Sequence, residues 1–270
     1  MPNVSPTFIL KTKNALNVII QGFTRGIKYT GNVILRNSPG NEVEVDIEQP
    51  GSEVSLFEDW LGANIQGLYN WYNIGTTGFV LDTNFVDEQH WGVAVANMPS
   101  NSWGFLAMGD AAWSPMILGS AKLSFETLVK FDILSTGTKP YYALMGLGTD
   151  MSGAAQDFPS GVFFVYNNAA NGDFWQVKGD DGGGPEDIVT TVPIIAGEWY
   201  KLRVDIVPTD GMSDPTATFY INDVNVGQVI KMPLAPVFTK PAFYFSADVS
   251  ADPDCNWVID YFRLNATMLR

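Results

Sequence analysis

The stretches GEWYKLRVDIVP (197–208) and ATFYINDVNVGQVI (217–230) are joined by a short run rich in Asp, Gly and Pro. Apolar and polar residues alternate in both, which is the period of a half-buried strand. Trp199, Leu202, Val204 and Ile206 are expected to pack inward. Asn222-Asp223 fits a tight turn that needs left-handed backbone, which Asn and Asp tolerate. Such a turn sets Phe219 and Ile221 across from Val224 and Val226. The unit read here is a pair of antiparallel hairpins, so the fold around it is expected to be all-β.

Working outward, aromatic and β-branched residues dominate the apolar set, and 26 Gly and 16 Pro interrupt every window with helical period. Strands are predicted over 78–81, 91–95, 104–108, 122–133, 141–147, 161–166, 174–178, 199–207, 216–221, 224–230, 242–247 and 257–264. This spacing of short strands fits a sandwich or barrel. No fixed-period repeat is present, which argues against propellers and solenoids. Ahead of these, 8–11, 16–20, 32–36 and 42–48 read as short strands. Gln49-Pro50-Gly51-Ser52 marks a boundary. The expected organisation is therefore a β-rich arm over 1–52 and a sandwich over 53–270.

The net charge of −14 is unevenly spread. Residues 1–40 hold Lys11, Lys13, Arg25, Lys28 and Arg36 and no acid, while the remainder carries 10 basic and 29 acidic residues. An acidic body excludes nucleic acid and anionic membranes as main partners. A basic arm on that body could dock an acidic neighbour or a second copy of the chain. The N-terminus lacks the pattern of a signal peptide, and no run approaches the roughly 18 apolar residues of a membrane span. The single cysteine, Cys255, excludes an intrachain disulfide and reads as a small buried hydrophobe beside Trp257. With His90 the one histidine and no Gly-x-Ser-x-Gly elbow, a nucleophilic triad has no support. No phosphate loop or dinucleotide motif is present.

The segments 197–208 and 217–230, with the closing stretch NWVIDYFRL (256–264) and the earlier SFETLVKFDI (124–133), resemble the concanavalin A-like lectin/glucanase superfamily, especially its laminin-G-like members. The resemblance covers about 53–270. It implies an antiparallel jelly-roll sandwich. The arm lies outside it, and a β-arm ahead of a lectin-like sandwich resembles bacteriophage virion proteins such as tail fibres and head decorations.

Three constellations carry candidate chemistry. Glu44-Val45-Asp46-Ile47-Glu48 places its carboxylates on one strand face, ~6–7 Å apart in succession. The glucanase branch of the superfamily uses Glu-x-Asp-x-Glu, so the resemblance implies Glu44 as nucleophile, Asp46 as assistant and Glu48 as acid/base of a retaining mechanism. The plainer reading sets Val43, Val45 and Ile47 against a core and the acids in water. The motif also lies upstream of the sandwich rather than within it, so no catalytic residue is favoured. Asp180 and Asp181, in the acidic glycine loop 180–187, and Asp252 and Asp254, before the last strand, are oxygen ligands of the kind calcium takes; solvated turns are the alternative. Trp71, Tyr72 and Trp103, in polar context, are the aromatics expected to meet a glycan.

The expected protein is thus a non-enzymatic structural or adhesion protein of a virion. Its sandwich would contact a glycan or a surface, and residues 1–52 would bind other virion proteins or further copies in a homo-oligomer. No cofactor is required, with calcium the ion its loops would take. The alternative is a glycoside hydrolase acting through Glu44, Asp46 and Glu48.

Overall fold

The computed structural model describes residues 8–9, 33–37, 43–47, 53–58, 71–81, 93–99, 101–108, 116–117, 121–136, 140–149, 160–167, 172–208, 215–233, 238–247 and 255–268. All described elements are strands, and all their pairings are antiparallel.

The first sheet of the sandwich runs β17(Val224–Val229), β16(Thr216–Ile221), β15(Trp199–Val207), β10(Ala121–Phe131), β19(Asn256–Met268), β7(Ala94–Asn97) and β6(Phe79–Leu81), with β4(Glu53–Glu58) also on β19. The second runs β14(Pro185–Pro193), β13(Phe174–Asp180), β12(Gly161–Asn167), β11(Tyr141–Gly148), β18(Phe238–Ala247), β8(Ser102–Met108) and β5(Trp71–Gly75), with β9(Met116–Ile117) also on β18. The long closing strands are each shared. Asn256–Ile259 of β19 pairs with β7 and Phe262–Thr267 with β4, while β18 divides between β9 and β8. The chain crosses between sheets from β10 to β11, β14 to β15 and β18 to β19, which is jelly-roll connectivity. The all-β sandwich expected from sequence is the fold observed. β1(Phe8–Ile9), β3(Val43–Ile47) and β2(Val33–Asn37) pair with one another in a separate three-stranded sheet.

The decisive hairpins form as their residues dictate. β15 and β16 occupy the predicted spans, and Asn222 and Asp223 take φ of 50° and 66°. Asn222 closes the turn by donating its N–H to the Lys201 carbonyl (2.8 Å) and accepting the Lys201 N–H on Oδ1 (2.9 Å). Two details differ from expectation. Trp199 stands an odd number of positions from Leu202, so the two-residue period sends it to the opposite face. Tyr200 takes the core position instead, and Lys130 Nζ lies 4.5 Å over the Trp199 ring. A bulge also sets Gly227, not Val226, opposite Phe219.

Strands β4, β5, β9 and β14 were not predicted. β14 opens with Pro185, Glu186 and Asp187, which read as loop. At the edge of the sheet, where β14 pairs with β13 alone, proline and acid are tolerated.

The core lies between the sheets. Phe131 sits at its centre, with ring centroids 5.0 Å from Tyr166, 5.9 Å from Trp257 and 6.0 Å from both Tyr141 and Trp175. These rings come from β10 and β19 on one side and β11, β12 and β13 on the other, so one cluster joins both sheets. The sheets differ on their outer faces. β10 and β15 alternate buried with part-exposed residues, whereas β11 is buried along its whole length and β12 nearly so. The outer face of the second sheet is an apolar cluster of Phe105, Tyr142, Leu144, Phe163, Val165 and Tyr244, with Trp103 packed at its margin. Phe163 lies flat there because Gly148 and Gly161 lack side chains; a Cβ on either would stand 2.2 or 2.4 Å from its ring.

Two stability outcomes follow from this geometry. Phe131→Ala should lower unfolding free energy by about 3–5 kcal/mol in urea titration, the usual cost of deleting a buried aromatic. Asn222→Val should cost about 2 kcal/mol, since a β-branched residue is strained at that φ and the side-chain acceptor for Lys201 is lost.

Candidate functional site

Along one cross-strand row of the second sheet's outer face, Trp103 of β8 stands opposite Ser246 of β18, Ser246 opposite Tyr142 of β11, and Tyr142 opposite Asn167 of β12. Four adjacent strands at the usual spacing make this row ~14 Å wide. Trp103, Ser246 and Asn167 are part-exposed, and Tyr142 is 5% exposed. One row deeper, Phe105, Tyr244, Leu144 and Val165 are essentially dry. The face therefore opens to solvent along the Trp103–Asn167 row and closes below it.

Local contacts fix the Trp103 end. Trp103 donates its N–H to Thr76 Oγ1 (2.9 Å), and its carbonyl accepts the Thr76 N–H (3.0 Å). Gly75, at φ +144°, lets the strand end come this close, for a Cβ there would lie 2.2 Å from the Trp103 carbonyl oxygen. Asn73 clamps the β5–β6 loop by donating Nδ2–H to the Phe79 carbonyl (2.7 Å) and accepting the Phe79 N–H on Oδ1 (3.0 Å). Asn101, at φ 54°, makes the turn before β8.

At the centre, the Tyr142 and Tyr244 rings meet edge to face at 6.4 Å. Burial pushes the Tyr142 phenol far above its ordinary range, and neighbouring Tyr244 and Asp187 push the same way. Burial also raises Tyr244. Both phenols thus stay neutral. The row offers one part-exposed aromatic surface, at Trp103, with a hydroxyl and a carboxamide, a set suited to a ligand with one apolar face and several hydroxyls.

The predicted site residues fall apart in space. Trp71 and Tyr72 are strand positions rather than loop ones, opposite Met108 and Ala107 in the ladder. Trp103 is opposite Thr76, so Tyr72 lies four residues, ~13 Å, down the ladder from it. Sequence reading singled out Trp103 but not the residues that share its cross-strand row. Tyr142 is hidden in the uniform apolar run PYYALMGLG, and Ser246 and Asn167 join it through register alone.

The acidic loop is shorter than its sequence suggests, because Asp180 ends β13 and Pro185–Asp187 begins β14. Asp180 accepts the Gly182 N–H (2.8 Å) and lies 3.9 Å from Lys178 Nζ, while Asp181 accepts the Gly183 N–H (2.7 Å). Both carboxylates shape the hairpin turn. Among the described residues no group of three or more His, Cys, Asp or Glu side chains could hold a metal ion. Asp252 and Asp254 lie outside the described residues. Glu44 and Asp46 are on β3, opposite Arg36 and Ile34, and Glu48 lies outside the described residues. β3 is the central strand of its sheet, not an edge. Cys255 is buried, as expected. Among the described residues no helix is long and apolar enough to cross a membrane.

Comparison with solved structures agrees with the two-sheet connectivity. The carbohydrate recognition domain of Emp46p in its potassium-bound form superposes with a TM-score of 0.54 at 14% identity, covering 76% of this chain and 93% of that one. The carbohydrate recognition domain of Emp47p gives 0.51 at 13% identity, covering 80% and 95%. A protein of unknown function, SO2946 from Shewanella oneidensis MR-1, gives 0.54 at 15% identity, covering 82% and 88%. The fold is concanavalin A-like. At these identities the likeness is one of fold. No family profile and no curated protein matches the chain. Within this sandwich, the Trp103–Asn167 row sets an aromatic face beside uncharged hydrogen-bonding groups.

Of the ten tyrosines, burial is the leading cause of raised ionisation at Tyr141, Tyr142, Tyr166, Tyr200, Tyr244 and Tyr261. Groups raised in the folded state stabilise it fully below the unfolded phenol pKa near 10, and that contribution is lost as pH rises above it. In an alkaline difference-absorbance titration, most phenolate signal should therefore appear together with loss of near-UV circular dichroism, rather than as a separate step at about pH 10.

Proposed function

We propose that the protein is a non-enzymatic glycan-binding protein whose binding surface is the Trp103–Ser246–Tyr142–Asn167 row. The observation that carries this reading is the row itself: a part-exposed indole aligned in register with the part-exposed Ser246 and Asn167 across the buried Tyr142 ring. A pyranose can lay its C–H face on Trp103 while its hydroxyls reach the polar members. The likeness to carbohydrate recognition domains supports the choice of a sandwich for this task.

The setting follows from charge. Residues 1–40 carry five cations and no acid, whereas the rest of the chain carries 29 acidic residues. This supports an arm, residues 1–52, that anchors the sandwich to an acidic neighbour or to another copy, as in a phage tail fibre or head decoration. The hydrolase alternative would draw on Glu44, Asp46 and Glu48. Glu44 and Asp46 sit on a strand whose register partners are β1 and β2, not sandwich strands carrying the aromatic row.

Full-length protein on a glycan array should give hits that Trp103→Ala reduces at least tenfold while leaving the far-UV spectrum intact. Calcium and EDTA should give equal binding. Hydrolysis of a β-glucan that Glu44→Gln abolishes would overturn the non-enzymatic reading.

A further inference from the structure

We infer that Thr76 is the positioning residue of this site: it holds the backbone of Trp103 and thereby sets the indole for stacking. The inference rests on the glycan-binding reading of the row and deepens it, giving a role to a residue outside the row.

Each residue of an antiparallel strand projects its N–H and C=O toward the same side. The N–H and C=O of Trp103 both meet Thr76, so they point toward β5 and away from β18. On that side the ladder has already ended, because the last β5–β8 pair is Gly75 with Gly104. Thr76 takes over from it. Its Oγ1 accepts the Trp103 N–H (2.9 Å), and its own N–H reaches the Trp103 carbonyl (3.0 Å). The Thr76 hydroxyl (3.3 Å) and the Thr77 N–H (3.4 Å) are longer donors to the same carbonyl. A side-chain oxygen thus stands where the next ladder carbonyl would be.

Toward β18, the Trp103–Ser246 pair is then of the kind without mutual backbone hydrogen bonds, in which side chains stand closest. That geometry brings Ser246 beside the indole and leaves the hydrogen bonding of the Trp103 backbone to the 75–78 loop.

The loop is itself braced. Asn73 spans it with two hydrogen bonds to the Phe79 backbone. Gly78 leaves room for that carboxamide, since a Cβ there would stand 2.7 Å from Asn73 Oδ1. A braced loop gripping Trp103 sets the stacking surface before a ligand arrives, which lowers the ordering cost of binding.

Thr76 is exposed, so water can replace its hydroxyl, and removing it costs little global stability. This separates positioning from a structural role, because loss of the hydroxyl should change binding more than unfolding.

The test compares three full-length variants. Thr76→Val keeps the shape and removes the hydroxyl, Thr76→Ser keeps the hydroxyl, and Trp103→Ala removes the indole. Each is titrated by calorimetry with the strongest hit from an array of gluco-, galacto- and manno-oligosaccharides. Exchange of the Trp103 amide is followed by NMR on 15N-tryptophan-labelled protein, with the resonance assigned by its absence in Trp103→Phe. Thr76→Val should weaken binding by about three- to tenfold, the worth of one hydrogen bond. It should speed exchange of the Trp103 amide by about tenfold or more, with the thermal midpoint within about 2 °C. Thr76→Ser should recover both. Unchanged affinity or unchanged exchange in Thr76→Val, while Trp103→Ala abolishes binding, would overturn the inference and leave the site standing. Weakened binding that Thr76→Ser does not recover would also overturn it. Full binding by a folded Trp103→Ala protein, or an array without hits, would overturn the glycan reading and the inference with it.

Discussion

The packing of Phe131 against Trp257, Trp175, Tyr141 and Tyr166 is the contact on which the rest of the molecule depends. These rings belong to five strands in two sheets, so their burial fixes the separation and mutual rotation of the layers at once. Around them, Phe125 meets Phe243 and Phe262, and Phe79 meets Phe245 and Trp257, extending the same cluster along the sandwich. The indole N–H groups of Trp175 and Trp257 are buried without hydrogen-bond partners. The interior thus leaves polar atoms unsatisfied to accommodate these rings, offset by the large apolar area that each aromatic removes from water.

The two outer faces follow from different side-chain choices at the non-core positions. On the first sheet, one row reads Phe57, Arg263, Glu126, Arg203 and Tyr220 across five strands. Arg203 lies 4.2 Å over the Tyr220 ring, Arg263 lies 5.4 Å over Phe57, and Tyr261 donates to Glu126 at 2.9 Å. Charge and ring alternate so that every cation has an anion or an aromatic face beside it, which suits contact with water. On the second sheet the equivalent positions are aromatic, aliphatic or glycine, and they are buried. The contrast sets a polar, self-satisfied face on one sheet against an apolar one on the other.

Much of the sandwich was legible because its strands obey simple rules. β10 and β15 alternate strictly, and Asn222-Asp223 carries its turn geometry in its residue types. Trp199 shows where a rule was applied loosely, since counting by two from Leu202 already excludes it from the core. β14 shows where composition misleads. Pro185, Glu186 and Asp187 look like loop, yet an edge strand needs fewer hydrogen-bond donors and can carry acid on its solvent side. The same loop resembles a calcium site because Asp180 and Asp181 are acidic, and one oxygen of each also receives a turn N–H, from Gly182 and Gly183.

The sequence by itself determined the class of fold, the strands with clean alternation and the uneven charge, because period, turn chemistry and charge are local properties of the chain. It also identified Trp103 as a candidate contact. Only the tertiary structure decided which residues share a surface with Trp103. Ser246, Tyr142 and Asn167 lie 143, 39 and 64 positions away in the chain and meet it through ladder register. Register is set by the packing of whole sheets, and a one-residue slip would move each of these side chains to the other face.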